Sequence, residues 1–417
     1  MDTVAEVQAE HVLLAAAVIL GAGSILGYLS RRLSLPDIVL FLAGGILFGP
    51  ECLGILNIRA TSILSWVIVI FAASYILFDG GATLQLRVVS SVWISLTTIV
   101  TVGVMVTAVI TGYAAYSILG IPIKVGLLLG AALASTDPAS LVPLLKHTPV
   151  QPKVSQFVIS ESALNDPVGA ILTYGLLSSL VIGHGATHLS LSKAAVDLVA
   201  QALIGTCVGA VLGYLTSFLV SHKRYGVLAE YLPMVTLISV IGSYLSASGL
   251  HSSGFMASFV AGLMMGNARA PGLATTAREH ASFADFVSTT SLISRMFIFM
   301  LLGSQMNLEL IFRYWRQGLA LVAVFMLIAR PITVAVSTLA DRRARWNWRE
   351  LVFIAWTRET GVIPGALASI MIAAHAPHAD VLAAMIFIAI IITIIVQATT
   401  AKWLAGRLHL LIEDSHN

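Results

Sequence analysis

The stretch ISESALNDPVGA, residues 159–170, places Glu161, Asn165 and Asp166 inside an apolar segment that runs from about 154 to 182. The whole chain is apolar, because 58% of its 417 residues are hydrophobic and only 10% are charged. A soluble domain carries about 25% charged residues. Ionisable side chains inside apolar segments are costly and usually functional. This stretch therefore indicates a polar site in the interior of a membrane protein.

Thirteen apolar segments approach or exceed the roughly 20 residues that a helix needs to cross a bilayer. They lie at 10–29, 36–56, 62–79, 89–119, 124–146, 154–182, 194–221, 230–250, 253–267, 288–307, 317–339, 350–374 and 379–406. Helices satisfy their backbone hydrogen bonds inside lipid, and these segments do not alternate polar and apolar residues as strands of a membrane barrel do. The sequence predicts an all-α polytopic membrane protein with about thirteen transmembrane helices.

The loops between these segments differ in their content of Lys and Arg. With the N-terminus outside, the inner loops hold 15 of these residues and the outer loops hold five. Lys and Arg accumulate on the cytoplasmic side. The first residues, MDTVAEVQAEH, are acidic rather than basic, so we expect the first segment to remain as a membrane helix rather than act as a cleaved signal. We expect an integral protein of the plasma or inner membrane, with its N-terminus outside and its C-terminus in the cytoplasm.

Two apolar segments contain residues that interrupt helices. ASTDPASLVP, residues 134–143, includes Asp137 followed by Pro138, and TRETGVIPGALA, residues 357–368, includes Gly361, Pro364 and Gly365. Proline removes a helical hydrogen bond and disfavours helix at the preceding residue. Gly- and Pro-interrupted spans in two halves of a chain point to a transporter site. We therefore expect one break near Asp137 and a second near Gly361, Pro364 and Gly365.

The spacing of polar residues in the sixth segment favours a cation site. Ser162 and Asp166 are four residues apart and share a helix face, while Glu161 and Asn165 share the adjacent face. Hard cations bind oxygen ligands of these kinds. Asp137 is expected to face Asp166 across the site. Because a poorly solvated carboxylate accepts either a proton or a cation, the arrangement predicts an antiporter.

Glu161 needs a permanent positive charge as its partner in the membrane interior. Arg330 in the eleventh segment is the favoured candidate, and Arg295 in the tenth is the rival. Such a pair would hold two helices together and leave the aspartates for ion exchange.

Several of these motifs resemble one known family. ESALNDP resembles the E-S-x-x-N-D signature of the monovalent cation/proton antiporters, in the Na⁺/H⁺ exchanger and NhaP-like branch. STDP at 135–138 resembles the unwound aspartate motif of that family, and LIAR at 327–330 resembles its arginine-bearing helix. LPDIVLFLAGGILFGP at 35–50 resembles the second span of NhaP-like and Kef-like proteins. The resemblance covers nearly the whole chain.

The resemblance implies a role for each matching residue. Asp166 would bind the cation and the proton, and Asn165 would stand where the electrogenic branch has a second aspartate, which implies electroneutral exchange of one cation for one proton. Glu161 and Arg330 would form the structural ion pair. The expected ligands of the alkali cation, which include the carbonyl of the threonine, are Asp166, Asp137, Ser162 and Thr136.

The family likeness also implies an architecture. We expect inverted repeats with two broken helices in an NhaA-like antiporter fold that forms homodimers. The implied organisation has scaffold and dimerisation helices at 1–88, core transport helices of the first repeat at 89–182, a linker helix and further scaffold and dimerisation helices at 183–307, and core transport helices of the second repeat at 308–417.

Two features depart from the family pattern. Its twelfth span reads close to L-R-G-A-x-P, and alignment on Gly361 and Pro364 puts Thr360 at the arginine position. Arg358 lies two residues earlier, so we expect it to project from the opposite face, with Glu359 as a possible neutralising partner. Asp79 in LFDGG is a further accessory candidate, either as an ion ligand or as a charge at the cytoplasmic end of its helix.

The sequence thus favours a secondary antiporter that exchanges Na⁺, K⁺ or Li⁺ for H⁺, by alternating access and with the cation and proton competing for Asp166 and Asp137. Alternatives are a Na⁺-coupled organic anion carrier, which Arg295 and Arg358 would suit, an ion channel, and a non-transporting sensor. A channel needs a continuous file of sites, whereas these charges cluster at one depth.

No phosphate loop, Cys/His metal set or nucleophile motif is present in the sequence, so we expect neither an enzyme nor a cofactor. The expected partners are monovalent cations, protons, membrane lipids and a second copy of the chain, and not nucleic acid.

Overall fold

The computed structural model describes residues 2–33, 36–59, 62–86, 90–136, 145, 150–181, 191–221, 228–267, 277–339 and 341–411. Within these ranges the chain folds into helices joined by loops and turns, with one isolated β-bridge between Val150 and Leu411. The all-helical architecture expected from the sequence is confirmed.

The first half of the chain supplies six helices to the described structure. They are α1 (Asp2–Leu33), α2 (Asp37–Phe48), α3 (Ile63–Thr83), α4 (Trp93–Leu119), α5 (Ile123–Leu133) and α6 (Pro152–Val181). The second half adds α7 (Leu191–Ser221), α8 (Leu232–Gly249), α9 (Gly254–Gly266), α10 (Ala277–Ser304) and α11 (Leu308–Leu339). It ends with α12 (Trp348–Trp356), α13 (Val362–Ala373) and α14, which runs from Ala379–Thr393 through Ile394–Ala398 to Thr399–Arg407.

Eight helices of the described ranges are long and apolar enough to cross a membrane. Four further apolar helices, α2, α5, α9 and α13, are shorter, and α6 carries the polar cluster of the sixth segment. Every predicted apolar segment contains helix, and the membrane character of the chain is confirmed. The number of thirteen spans remains a prediction.

Three helices contain a π-helical turn among the residues described. The turns are Ile99–Gly103 in α4, Phe325–Ala329 in α11 and Ile394–Ala398 in α14. A π turn holds one residue more than an α turn and is frequent near functional sites. The π turn of α4 packs against α11, because a Cβ on Gly103 would approach Thr333 Cγ2 to 2.9 Å. The π turn of α11 in turn contacts α4.

The helices pack in two sets. One set contains α1–α3 and α7–α10, and the other contains α4–α6 and α11–α14. In the first set, α3 and α9 touch through backbone, since a Cβ on Gly262 would lie only 2.0 Å from the Phe78 carbonyl oxygen. Small residues such as Gly262 permit this close approach between membrane helices.

The break in the twelfth segment is earlier than expected. Helix α12 ends at Trp356, residues 357–361 are not helical, and α13 begins at Val362. The prediction was wrong in placing Pro364 and Gly365 in the interruption, because both lie in the first turns of α13. Amides in a first helical turn have no intrahelical acceptor, so proline is accommodated there.

Helix α5 also ends early, at Leu133, and residues 135 and 136 are not helical. The fifth segment therefore departs from helix before Asp137. Asp137 and Pro138, the centre of the predicted interruption, lie outside the described residues.

Candidate cation and proton site

Helix α6 presents the polar residues of the ESALNDP motif to the protein interior. Glu161, Ser162, Asn165 and Asp166 are residues at most 3% exposed. The helix continues through Pro167, which has no N–H to donate to the carbonyl four residues earlier. The motif is thus displayed from a continuous helix, and the breaks lie in its neighbours.

Asn165 links α6 to the non-helical residues that follow α5. Its Oδ1 accepts from the Thr136 backbone amide at 3.2 Å and lies 3.1 Å from the Thr136 hydroxyl oxygen. Its Nδ2 donates to the same hydroxyl at 2.8 Å. Thr136 is buried, so these bonds are shielded from water and hold the end of the interrupted segment against α6.

Ser162 completes this cluster one turn earlier on α6. Its Oγ lies 2.9 Å from the Thr136 Oγ1, which donates to it. A hydroxyl has one proton, so Thr136 donates either to Ser162 or to Asn165 at any moment. Oxygen atoms from Ser162, Thr136 and Asn165 are therefore gathered beside Asp166 on the same helix, which is the oxygen-rich set that an alkali cation requires.

A glycine lets the interrupted segment approach α6 so closely. A Cβ on Gly169 would come within 2.2 Å of the Ser135 Oγ. Ser135 is fully buried next to Thr136. Gly169 thus determines how near the end of α5 lies to the Asp166 turn, and sequence reasoning missed it because the contact is purely tertiary.

Asp166 is 1% exposed, and it interacts electrostatically with Arg358 from the twelfth segment. Arg358 also interacts electrostatically with Glu161 and Arg330, and all four residues are buried. The expected position of Asp137 opposite Asp166 falls on a residue outside the described structure.

Arg330 meets Glu161 in the interior of the second helix set. Arg330 Nη1 and Nη2 donate to the two Glu161 carboxylate oxygens at 2.5 and 2.7 Å, and Nη2 also donates to the Ile354 carbonyl at 2.9 Å. This two-pronged geometry is the strongest form of an ion pair. Arg295, the rival partner, instead lies 3.5 Å from Asp37 and joins α10 to α2.

Arg358 extends from the non-helical stretch between α12 and α13 to residues of α4 and the end of α5. Its Nη2 donates to the Ala134 carbonyl, and its Nη1 donates to Thr107 Oγ1 at 3.2 Å. Its guanidinium carbon lies 5.3 Å from the Phe325 ring centre. Ala134 is the C-cap of α5, where the helix dipole is negative, so the arginine neutralises the end of the half-helix.

The contact of Arg358 with the Ala134 carbonyl was not expected from the sequence. The carbonyl of Thr136, two residues later, stays a predicted cation ligand. Thr360, at the family arginine position, faces another neighbour, because its amide donates to Thr393 Oγ1 in α14 at 3.1 Å.

Thr107 and Thr333 were not singled out from the sequence. Their hydroxyl oxygens lie 2.9 Å apart where α4 crosses α11, and Thr107 also holds Arg358. Threonines are common in apolar helices, so only their pairing in space distinguishes them.

Asp79, the accessory candidate, belongs to a helix of the first set. It is on α3, which packs mainly against α9 and α10 in the first set, and it interacts electrostatically with Tyr75 one turn earlier. Its role as an accessory ligand stays a prediction.

Comparison with known proteins identifies relatives that match most of the length of this chain. The family model described as "Sodium/hydrogen exchanger, transmembrane" matches residues 16–407. The K⁺/H⁺ antiporter NhaP2 of Shewanella oneidensis is 30% identical over 400 residues, which cover 93% of this chain and 66% of that protein. This chain therefore spans slightly less than two thirds of the length of its NhaP2 relatives.

An archaeal relative has a length similar to that of this chain. Na⁺/H⁺ antiporter 1 of Methanocaldococcus jannaschii is 28% identical over 414 residues, covering 93% of both chains. The solved structure of the sodium proton antiporter MjNhaP1 from the same organism superposes with a TM-score of 0.78 at 26% identity, covering 95% of this chain and 99% of that one. The resemblance noted in the sequence motifs is confirmed over nearly the full chain.

Proposed function

Because the chain belongs to the sodium/hydrogen exchanger family, we propose that it is a secondary active antiporter that exchanges a monovalent cation for H⁺ across the membrane. The names of its relatives specify K⁺ for one and Na⁺ for another, so both ions are candidates here, with Li⁺ as a third. The observation that carries the proposal is the buried Asp166, set beside the hydrogen-bonded oxygens of Ser162, Asn165 and Thr136 at the interrupted end of α5.

In the proposed cycle, the Asp166 carboxylate binds either a cation or a proton. Ser162, Thr136 and Asn165 supply neutral oxygen ligands, and Asp137 supplies a second carboxylate. Protonation removes the negative charge that attracts the cation, so the two substrates compete for the site. Exposure of the same site first to one side and then to the other converts this competition into exchange.

We propose one-for-one, electroneutral exchange. Asn165 is neutral and is engaged by Thr136, and Glu161 is held by Arg330 in a two-pronged ion pair. Neither residue is expected to release or take up a proton during the cycle, so the exchangeable charge resides on the aspartates of the site.

The moving unit is proposed to be the second helix set. Residues 89–182 and 308–417 would form the core, and residues 1–88 and 183–307 would form the scaffold and the homodimer contact. Support comes from the separate packing of the two sets and from paired features in the core. Helices α4 and α11 each contain a π turn, and the fifth and twelfth segments each lose helix within the apolar region. These pairs favour inverted repeats.

The main argument for an organic anion carrier was that Arg295 and Arg358 could bind the solute, and both arginines have other partners. Arg295 is paired with Asp37, and Arg358 is engaged by Ala134, Thr107 and the Phe325 ring. Both arginines are therefore committed to protein partners rather than presented to a solute.

The proposal is tested by reconstituting the full chain in liposomes that contain a pH dye. Na⁺, K⁺ and Li⁺ are added in turn under a pH gradient, with the membrane voltage clamped at several values. We expect cation-dependent proton flux that does not change with voltage and is lost in Asp166→Asn. Asp380→Asn is the matched control, because Asp380 is an exposed aspartate in the first turn of α14.

Three results would contradict this reading. Cation-dependent flux in Asp166→Asn equal to wild type would remove Asp166 from the site. Flux that rises steeply with voltage would exclude one-for-one exchange. The absence of cation-dependent flux across a broad pH range would exclude antiport itself.

A further inference from the structure

The loop that joins α11 to α12 is held rigidly by a buried aspartate. Asp341 Oδ2 accepts from the Ser95 hydroxyl at 2.8 Å and from the Ser95 amide at 3.1 Å, and Oδ1 accepts from the amides of Arg343 and Ala344 at 3.1 Å each. Burial alone would raise the pKa of Asp341, but the hydrogen bonds from Ser95, Ala344 and Arg343 outweigh it and lower the pKa. The carboxylate is therefore ionised at neutral pH and fixes the start of the loop on α4.

The end of the loop is fixed as firmly on α6. The Trp346 indole donates to Ser95 Oγ at 2.8 Å and packs against Phe157, with ring centres 4.9 Å apart. Lys153 lies over the Trp346 ring and pairs with Glu350 at 2.9 Å, while Glu350 and Asn347 form a capping box at the start of α12. The backbone of residues 341–347 is thus tied to two helices of the core.

This fixed backbone turns three arginines outward. Arg342, Arg343 and Arg345 are exposed, whereas Asp341 and Ala344 between and beside them are buried. Arg345 has a φ of 45°, a conformation uncommon outside glycine, which the surrounding hydrogen bonds maintain. The backbone positions of the three arginines are consequently fixed, and all three residues are exposed on one short loop.

A second strip of basic and aromatic residues lies at the same end of the molecule. It comprises Trp348, Arg349, Lys402, Trp403 and Arg407. Trp348 and Trp403 are each 63% exposed, and Arg349 and Arg407 lie over their rings at 5.7 and 5.8 Å. These eight residues, Arg342, Arg343, Arg345 and the five of the strip, are here termed the basic–aromatic surface.

Two sets of contacts bring the parts of the basic–aromatic surface together. The Trp356 indole donates to Thr400 Oγ1 at 2.8 Å, which places α12 along the end of α14. The Gln151 amide donates to the Leu410 carbonyl at 3.2 Å, and Lys153, two residues on, pairs with Glu350. The start of α12 and the end of α14 therefore both reach the start of α6.

We propose that the basic–aromatic surface binds the headgroup of an anionic phospholipid. Six of its eight residues are cationic, and the nearby carboxylates of Asp341 and Glu350 are already engaged by protein groups. Guanidinium groups match phosphate oxygens through paired hydrogen bonds, and exposed tryptophans lie at the level of lipid headgroups. A role in orienting the chain requires only positive charge near a span, whereas a headgroup site also requires the fixed backbone seen here.

A lipid bound at the basic–aromatic surface would contact a loop that is hydrogen-bonded to α4 and α6. The loop contacts α4 through Ser95 and α6 through Lys153, and α6 carries the ESALNDP motif. Binding itself does not depend on the proposed antiport, so the two proposals are tested separately.

The test measures lipid binding to the full chain purified in a neutral detergent. Cardiolipin, phosphatidylglycerol and phosphatidylcholine are titrated, with bound lipid detected by native mass spectrometry and by the shift in thermal unfolding. We expect saturable binding of the anionic lipids. In the triple variant Arg342→Gln/Arg343→Gln/Arg345→Gln, the affinity should fall about a hundredfold, since each arginine near an anionic surface contributes about a factor of five.

The chain supplies a matched control at the other end of α11. Arg313 and Arg316 are exposed and lie over Tyr314 and Trp315 at 5.8 and 5.5 Å. Arg313→Gln/Arg316→Gln should bind anionic lipid as the wild type does. A second triple variant with lysine at 342, 343 and 345 keeps the charge and should lose only part of the affinity.

The proposal is overturned if phosphatidylcholine binds as tightly as the anionic lipids, or if the arginine-to-glutamine triple variant retains wild-type affinity. It is also overturned if the Arg313/Arg316 control loses as much affinity as the triple variant. Competition by inorganic phosphate at millimolar concentration without any lipid selectivity would indicate an ordinary anion site instead.

Discussion

At the scale of single residues, the Glu161–Arg330 pair shows how a charge becomes tolerable in this interior. Both side chains are at most 4% exposed, and both carboxylate oxygens accept hydrogen bonds from the guanidinium group. A buried pair of this kind adds little net stability relative to apolar residues. Removal of one member, however, leaves the other charge buried without its partner. The pair therefore affects the stability of the protein mainly when one of its two residues is replaced.

Glu161→Gln is accordingly expected to destabilise the protein strongly. An unpaired Arg330 would remain in the interior, at a cost of about 3–5 kcal/mol. Thermal unfolding of the purified protein measures the effect, and Glu161→Gln/Arg330→Gln should be more stable than Glu161→Gln alone. Lys153→Gln breaks the pair with Glu350, in which the lysine is 28% exposed, and should cost only about 1 kcal/mol. A double variant less stable than either single variant would contradict the argument.

At the scale of helices, the contact between Gly169 and Ser135 positions the interrupted segment. Gly169→Ala is expected to abolish most cation-dependent proton flux, because the added Cβ would sit 2.2 Å from Ser135 Oγ and push the end of α5 away from Asn165. Gly175→Ala is the control on the same helix, since a Cβ there meets nothing within 4 Å. Ser135→Gly in the Gly169→Ala background removes the clashing hydroxyl and should restore part of the flux. If Gly169→Ala transports normally, the close approach is not required.

The helices also show what the sequence can and cannot predict. Hydropathy located the apolar segments, and helical periodicity put Ser162 beside Asp166 and Asn165 beside Glu161, because α6 is regular. The pairing of Glu161 with Arg330 followed from the need to neutralise a buried charge. The course of residues 357–361 did not follow, since no fixed period governs a non-helical stretch, and so the contact of Arg358 with Ala134 was missed. Close approaches such as Gly169 to Ser135 depend on how helices pack.

At the scale of the whole molecule, the orientation in the membrane is open to a direct test. The excess of Lys and Arg on one set of loops predicts that Cys52, after α2, lies on the outside. Cys52 is exposed, so a membrane-impermeant maleimide should label it in intact cells when Cys207 is replaced by serine. With both native cysteines replaced, Arg342→Cys should be labelled only after the cells are permeabilised. Labelling of Arg342→Cys in intact cells would reverse the assigned orientation.

The π turn in α4 has a consequence for how the two halves of the core engage. Ser95 and Thr107 are twelve residues apart, which in an ordinary α-helix at about 100° per residue would place them about 120° apart around the axis. The extra residue in Ile99–Gly103 reduces the effective separation to eleven residues and the angle to about 20°. Ser95 can then meet Asp341 while Thr107 meets Thr333 and Arg358. The single inserted residue thus rotates one part of α4 relative to the other, so that Ser95 and Thr107 both face residues from the C-terminal part of the chain.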